Sequence, residues 1–213
     1  MSLMAAVLLL AATSAGAIPI QYSDRATWEA TVGAPIQTET LDSFVVDTEY
    51  RTVPVSLLNM SIQALDLSGL NASANFIDAS GTSSFTNTAD IIASIDGSGT
   101  KIRIDFDVGV SAWGADTFSL CCGQDKIDIF DIDNMLIGTV SAIGSADFWG
   151  FELSMGEVAD YIVLRTELST GSADAFRMDN LSFVTVSVPE PGTLALLGIG
   201  LVGMGLARRR KKV

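Results

Sequence analysis

The side chains able to do chemistry in this 213-residue chain are mostly carboxylates: it has 25 Asp and Glu, two Cys and no His. Without imidazole no Ser-His or Cys-His pair forms, and proton transfer near neutrality is left to carboxyl groups. Paired carboxylates hydrolyse glycosidic bonds, and clustered ones hold hard cations. Twenty-four of the acids lie between Ile18 and Val188, so abundance alone singles out no catalytic pair. Asp128, Asp131, Asp133 and Asn134 fall close together. No Gly stands at the sharp turn and no Glu closes a twelve-residue loop, so the string reads as a hairpin tip with solvated carboxylates, not an EF-hand. The adjacent Cys121 and Cys122 are too few for a zinc site. They fit a vicinal disulfide before Gly123, one buried and one exposed thiol on opposite faces of a strand, an intermolecular bridge, or a lipid-like modification. Rings at Trp113, Phe118, Phe148, Trp149 and Tyr161 suit either core packing or sugar stacking, with Trp149, between Phe148 and Gly150, the best placed for a sugar contact.

Charge excludes one class of partner. Residues 18–188 hold seven basic and twenty-four acidic residues, a net of −17. Such a surface repels nucleic-acid phosphates and attracts divalent cations or basic partners. The other five basic residues are gathered at Arg208, Arg209, Arg210, Lys211 and Lys212.

Both ends read as address labels. An apolar run from Leu3 to Ala12 precedes Ala15-Gly16-Ala17, the small residues a signal peptidase requires, so residues 1–17 read as a secretory signal peptide handled by the Sec machinery. At the other end Val188-Pro189-Glu190-Pro191-Gly192 leads into an uncharged stretch that lasts to Ala207. At about 1.5 Å per residue a helix over 192–207 nearly crosses a hydrocarbon core of about 30 Å. The basic cluster at 208–212 stays cytoplasmic by the positive-inside rule, which leaves the preceding chain outside the inner membrane.

The order Pro-Glu-Pro, apolar span and Arg-rich end resembles the PEP-CTERM family of sorting signals, over 188–213. The resemblance implies that an exosortase, an integral-membrane cysteine transpeptidase, recognises Pro189, Glu190 and Pro191 and removes the helix. It also implies an anchored precursor with a periplasmic domain, then release to the cell surface or the exopolysaccharide matrix. A plain single-span anchor with a Pro-rich stalk is the other reading of the same residues.

The elements that must position any site are strands. Lys101–Val108 alternates strictly, with Ile102, Ile104, Phe106 and Val108 on one face. The Gly-rich segment 96–100 predicts a hairpin joining this strand to Ile91–Ile95. Ile127–Ile132 and Met135–Val140 predict a second hairpin around Asp133-Asn134. Further strands are expected at Ile36–Phe44, Thr52–Leu58, Phe148–Leu153, Tyr161–Thr166 and Ala175–Val186, and one helix at Asp24–Val32 with Ser23 as its N-cap. This predicts an all-β fold over residues 18–187, an antiparallel sandwich of jelly-roll type.

Ser23-Asp-Arg-Ala-Thr-Trp28, Thr40-Leu-Asp-Ser-Phe44 and Arg177-Met-Asp-Asn-Leu-Ser-Phe183 resemble the openings and endings of carbohydrate-binding jelly rolls. In that family an acidic residue of the first core strand and an Asp of the last hold a structural calcium, and the matching positions here are Asp42 and Asp179. The apolar phase also slips at Asp179-Asn180, as a β-bulge would produce. Two solvated strand-end carboxylates are the alternative at those positions. The expected function is a noncatalytic surface or matrix protein associated with exopolysaccharide. A carbohydrate-binding module is the alternative, with a carboxylate-dependent glycoside hydrolase third.

Overall fold

The computed structural model describes residues 18–186 apart from 34, 66–74, 81–88, 97–98, 119, 121–123, 145, 155 and 170–171. The signal peptide read at 1–17, Cys121 and Cys122, Pro189, Glu190 and Pro191, and the span at 192–207 lie outside them. Among the described residues no helix is long and apolar enough to cross a membrane.

All strand pairs are antiparallel and organise around β8 (Lys101–Phe118), eighteen residues long. Its first half, residues 101–106, pairs with β5 (Met60–Leu65) on one edge and with β12 (Ala159–Thr166) on the other. β4 (Val55–Leu57) lies beyond β5, while β9 (Asp125–Phe130) and β10 (Leu136–Ser141) lie beyond β12. The second half of β8 pairs with β11 (Phe148–Glu152) and β13 (Ala173–Thr185), which start a second layer. β1 (Ile20–Tyr22) flanks β11. On the far edge of β13 lie β7 (Asp90–Asp96) and then β6 (Phe76–Asp78) and β3 (Thr48–Glu49), with β2 (Gln37–Glu39) beside residues 181–183. β12 and β7 are not hydrogen-bonded to each other yet lie in contact, so the two layers close face to face on one apolar core. Ile62, Ile102, Ile104, Ile127 and Ile129 of the first layer meet Ile91, Trp113, Phe151, Phe176 and Phe183 of the second.

The expected hairpin of 91–95 with 101–108 does not form. β7 pairs with β6 and β13, and the chain changes layers between Asp96 and Lys101. The Gly-rich segment is a turn signal, but such a signal says nothing about which strands pair. Val108 also departs from its expected face: it is 49% exposed, because between Asp105 and Val110 the pairing with β12 skips register as β8 passes from one layer to the other. A Cβ on Gly109 would lie 2.2 Å from Val158, so this crossing is packed too closely for a side chain. The hairpin of β9 and β10 forms as expected. Asp131 Oδ1 accepts from the amides of Asp133 (3.0 Å) and Met135 (2.8 Å), and Asn134 takes a φ of 62°.

Helix α1 (Arg25–Val32) is capped by Asp24, not by the expected Ser23. Asp24 Oδ1 accepts from the Thr27 amide (2.8 Å) and hydroxyl (2.6 Å). Buried Trp28 docks the helix on the outer face of the second layer, donating from Nε1 to the Phe151 carbonyl (3.0 Å) and packing with Phe148 and Ala112.

Candidate functional site

The slip anticipated in the last strand is present. The β13–β8 register jumps between Asp179 and Ser182, Asn180 takes a φ of 49°, and the buried set passes from Phe176 and Met178 to Leu181 and Phe183. Turned out by this bulge, the Asn180 carbonyl accepts from Arg25 Nη2 (2.7 Å). The same guanidinium donates from Nε to Asp116 Oδ1 (2.6 Å) and from Nη1 to Ser182 Oγ (2.9 Å), and it lies 5.0 Å from the Phe148 ring centre. Asn180 Nδ2 donates to Asp116 Oδ2 (2.8 Å), so Asp116 is held from both sides.

Beside this network opens a cleft of about 500 Å³ lined by Ser23, Asp24, Arg25, Asp116, Ile143, Ala146, Asp147 and Phe148. Three elements build it: the capped start of α1, the end of β8, and the approach to β11. Thr117 fastens that approach, donating its amide to the Asp147 carbonyl (3.0 Å) and its hydroxyl to the Ala146 carbonyl (2.8 Å). The Thr27 hydroxyl and then the Thr27 amide hold the Asp24 carboxyl below the usual aspartate range. A carboxylate so held is a poor general acid.

A carboxyl pushed the other way lies elsewhere. Asp125 is fully buried at the start of β9. Burial, then the carboxyl of Asp174, push it up to about 8 against the opposing hydroxyl of Thr166 and charge of Lys126. Walled into the interior, it does not line the cleft.

The sequence-predicted residues fare unevenly. Asp42 is exposed in the turn after β2, and Asp179 is buried, its Oδ1 accepting from the Asn180 amide (2.6 Å). Among the described residues no three His, Cys, Asp or Glu side chains converge as metal ligands. Trp149 is not a surface platform: it is 1% exposed and packs edge-on to Phe176, ring centres 6.4 Å apart. Trp113, Phe148 and Tyr161 are buried too, and only Phe118 of the five rings is substantially open, at 41%. On β11 the even-numbered ring faces α1 and the odd ones face the core. Sequence reasoning missed Arg25, Asp116 and the Asp125–Asp174 pair. The last was visible in part, since Asp125 shares the phase of Ile127 and Ile129, and Asp174 that of Phe176 and Met178.

Comparison with known proteins identifies one segment by sequence. Residues 187–211 match the PEP-CTERM protein-sorting motif. No curated protein matches the chain. Among solved structures, a family 29 carbohydrate-binding module is similar at 11% identity and TM-score 0.42, covering 74% of this chain and 99% of that one. The K2 cleaved adhesin domain of Lys-gingipain is similar at 11% identity and TM-score 0.42, covering 71% and 100%. A family 32 carbohydrate-binding module of C. perfringens NanJ, solved with galactose, is similar at 10% identity and TM-score 0.36, covering 62% and 98%.

Proposed function

We propose that this chain is an exported, noncatalytic surface or matrix protein, delivered by its tail and retained in or near an exopolysaccharide layer. The observation that carries this reading is the sorting motif at 187–211. In it an exosortase-type transpeptidase recognises Pro189, Glu190 and Pro191, the helix at 192–207 holds the precursor in the inner membrane, and the basic residues at 208–212 fix its orientation. The test is the intact mass of the protein from its native host, beside a strain lacking the processing enzyme. A mass ending near Val188 or Pro191, with the tail retained in the deletion strain, is expected. A full tail in both strains would reduce the segment to a plain anchor.

The cleft favours a second reading, in which the domain is a jelly roll that binds a glycan of that layer. Planar carboxylates and a guanidinium offer paired acceptors and donors to vicinal hydroxyls, and Asp24, Arg25, Asp116 and Asp147 all line the opening. Calcium at Asp42 and Asp179 belongs to this reading, supported by the bulge beside Asp179. Asp147→Ala should abolish binding to purified exopolysaccharide in affinity electrophoresis while leaving the melting midpoint in place. Retained binding in that variant would move the glycan site away from the cleft.

A further inference from the structure

Five exposed apolar side chains of the first layer share one end of it. β4 and β5 are joined there by the turn Leu58-Asn59, with Leu58 exposed and Asn59 at a φ of 50°. The Asp107 amide donates to the Asn59 carbonyl (3.0 Å), which sets this turn beside the crossing of β8, where Val108 is exposed. β9 and β10 turn at the same end, because Phe130 pairs with Tyr161 near the start of β12, and Ala159 pairs with Val110. Their tip carries Ile132, Met135 and Leu136, each more than half exposed. The turn itself needs only Asp131 and Asn134, so apolar side chains at 132 and 135 serve nothing within it. The tip is also held firmly. Tyr161 stacks on Phe130, ring centres 4.7 Å apart, and donates its hydroxyl to Asn134 Oδ1 (3.2 Å).

Scattered exposed apolar residues need no partner. These are set apart by what leaves the domain beside them. The Val186 amide donates to the Gly109 carbonyl (3.0 Å) in the same crossing, and the sorting motif starts at the next residue. Five residues, 187–191, then separate the domain from the apolar stretch at 192–207. A tail in the bilayer therefore draws this end of the sandwich toward the lipid. We infer that in the anchored precursor this end lies on the membrane, with Leu58, Val108, Ile132, Met135 and Leu136 seated at the boundary of headgroups and acyl chains. The inference rests on the reading of 192–207 as a membrane span, and adds to it a lipid-contacting face of the folded domain. The contact is apolar, not electrostatic. The charged residues within these segments are Asp107, Asp131 and Asp133, which an anionic surface repels, so a zwitterionic lipid surface is the partner that fits. Because the tip is already ordered, little conformational freedom is lost on contact.

The test places an indole at this end and asks whether lipid reaches it. Met135→Trp and Leu58→Trp are made in the full chain, exported, purified with its tail intact and reconstituted in phosphatidylcholine vesicles. Ser169→Trp, beyond the far end of β12, is the control. Trp28, Trp113 and Trp149 are buried and give every variant the same background. Lipid brominated along its acyl chains should quench most of the emission added at 135 and at 58 and shift it to the blue. Emission added at 169 should be untouched. Either of the first two reporters suffices if the other variant fails to fold. Replacing part of the lipid by phosphatidylglycerol should weaken the quenching, and a gain instead would overturn the apolar contact. Flotation with the vesicles reports on the tail separately. A chain that floats with both indoles unquenched would overturn the docking and leave the span standing, whereas a chain that does not float would overturn both. A blue shift without bromine quenching would overturn the docking too, by placing a second copy of the chain on this end.

Discussion

Phe148 and Trp149 are neighbours with opposite duties. Phe148 faces outward beneath Trp28 and Arg25, and Trp149 faces inward against Phe176. Trp149→Ala should therefore act as a core truncation, costing about 3–5 kcal/mol and lowering the denaturant midpoint accordingly. Glycan affinity of the fraction still folded should not change, and a selective loss of affinity at unchanged midpoint would contradict its burial. The sequence showed this residue's ring but not its side. Alternation fixes which residues share a face and not which face is inside, and two aromatic neighbours offer the same hydrophobic signal on both. The reverse holds for Asp125 and Asp174. Their phase marks them as interior, but nothing in a local pattern shows that two such positions from distant strands will meet.

At the scale of elements, local signals are legible in the sequence and pairing partners are not. The phase slip at Asp179-Asn180 is visible because apolar spacing changes from even to odd within one strand, and the bulge lies there. The tip of the β9–β10 hairpin is visible because Asp131 and Asn134 have side chains that suit such turns. The cap of α1 lies one residue beyond the expected Ser23, since Ser23 and Asp24 are both good caps and only the position of Thr27 decides between them. β7, β6 and β13 are tied by Arg177, whose Nη1 donates to Asp90 Oδ1 (2.8 Å) and to Asp78 Oδ2 (3.4 Å). Burial pushes the Asp78 carboxyl up, but the Ser80 hydroxyl and amide and the Arg177 guanidinium outweigh it and leave it below the usual aspartate range. Asp24 is lowered as well. A lowered carboxyl contributes stability above its unfolded value, near 4, and loses it as pH falls through the lower folded value. Thermal midpoints should thus drop more steeply from pH 4 downward in the unsubstituted chain than in Asp78→Asn. Parallel curves would remove Asp78 from the account.

For the whole molecule, composition and turn spacing are enough to predict an all-β antiparallel domain, and residues 18–186 contain only one helix among those described. Topology was not legible. The strand that unites both layers reads as eight alternating residues, Lys101–Val108, and nothing in that alternation marks the change of partners that follows Phe106. The exposed Asp107 and Val108 lie at the crossing that makes the sandwich.

The last strand has a consequence for reach. β13 ends at Thr185, where it still pairs with Val110 of β8, and the sorting motif begins at 187. Even fully extended, the four residues from Thr185 to Pro189 span no more than about 14 Å, and the seven to Gly192 about 25 Å. Under the proposed topology the folded domain is therefore on a short leash. An enzyme that grips Pro189-Glu190-Pro191 must work almost against the sheet, and a domain of net charge −17 is held close to the lipid headgroups. Lengthening the leash by ten Gly and Ser residues after Val186 should speed removal of the tail in a pulse-chase experiment. An unchanged rate would mean that the domain's standoff from the membrane does not govern its release.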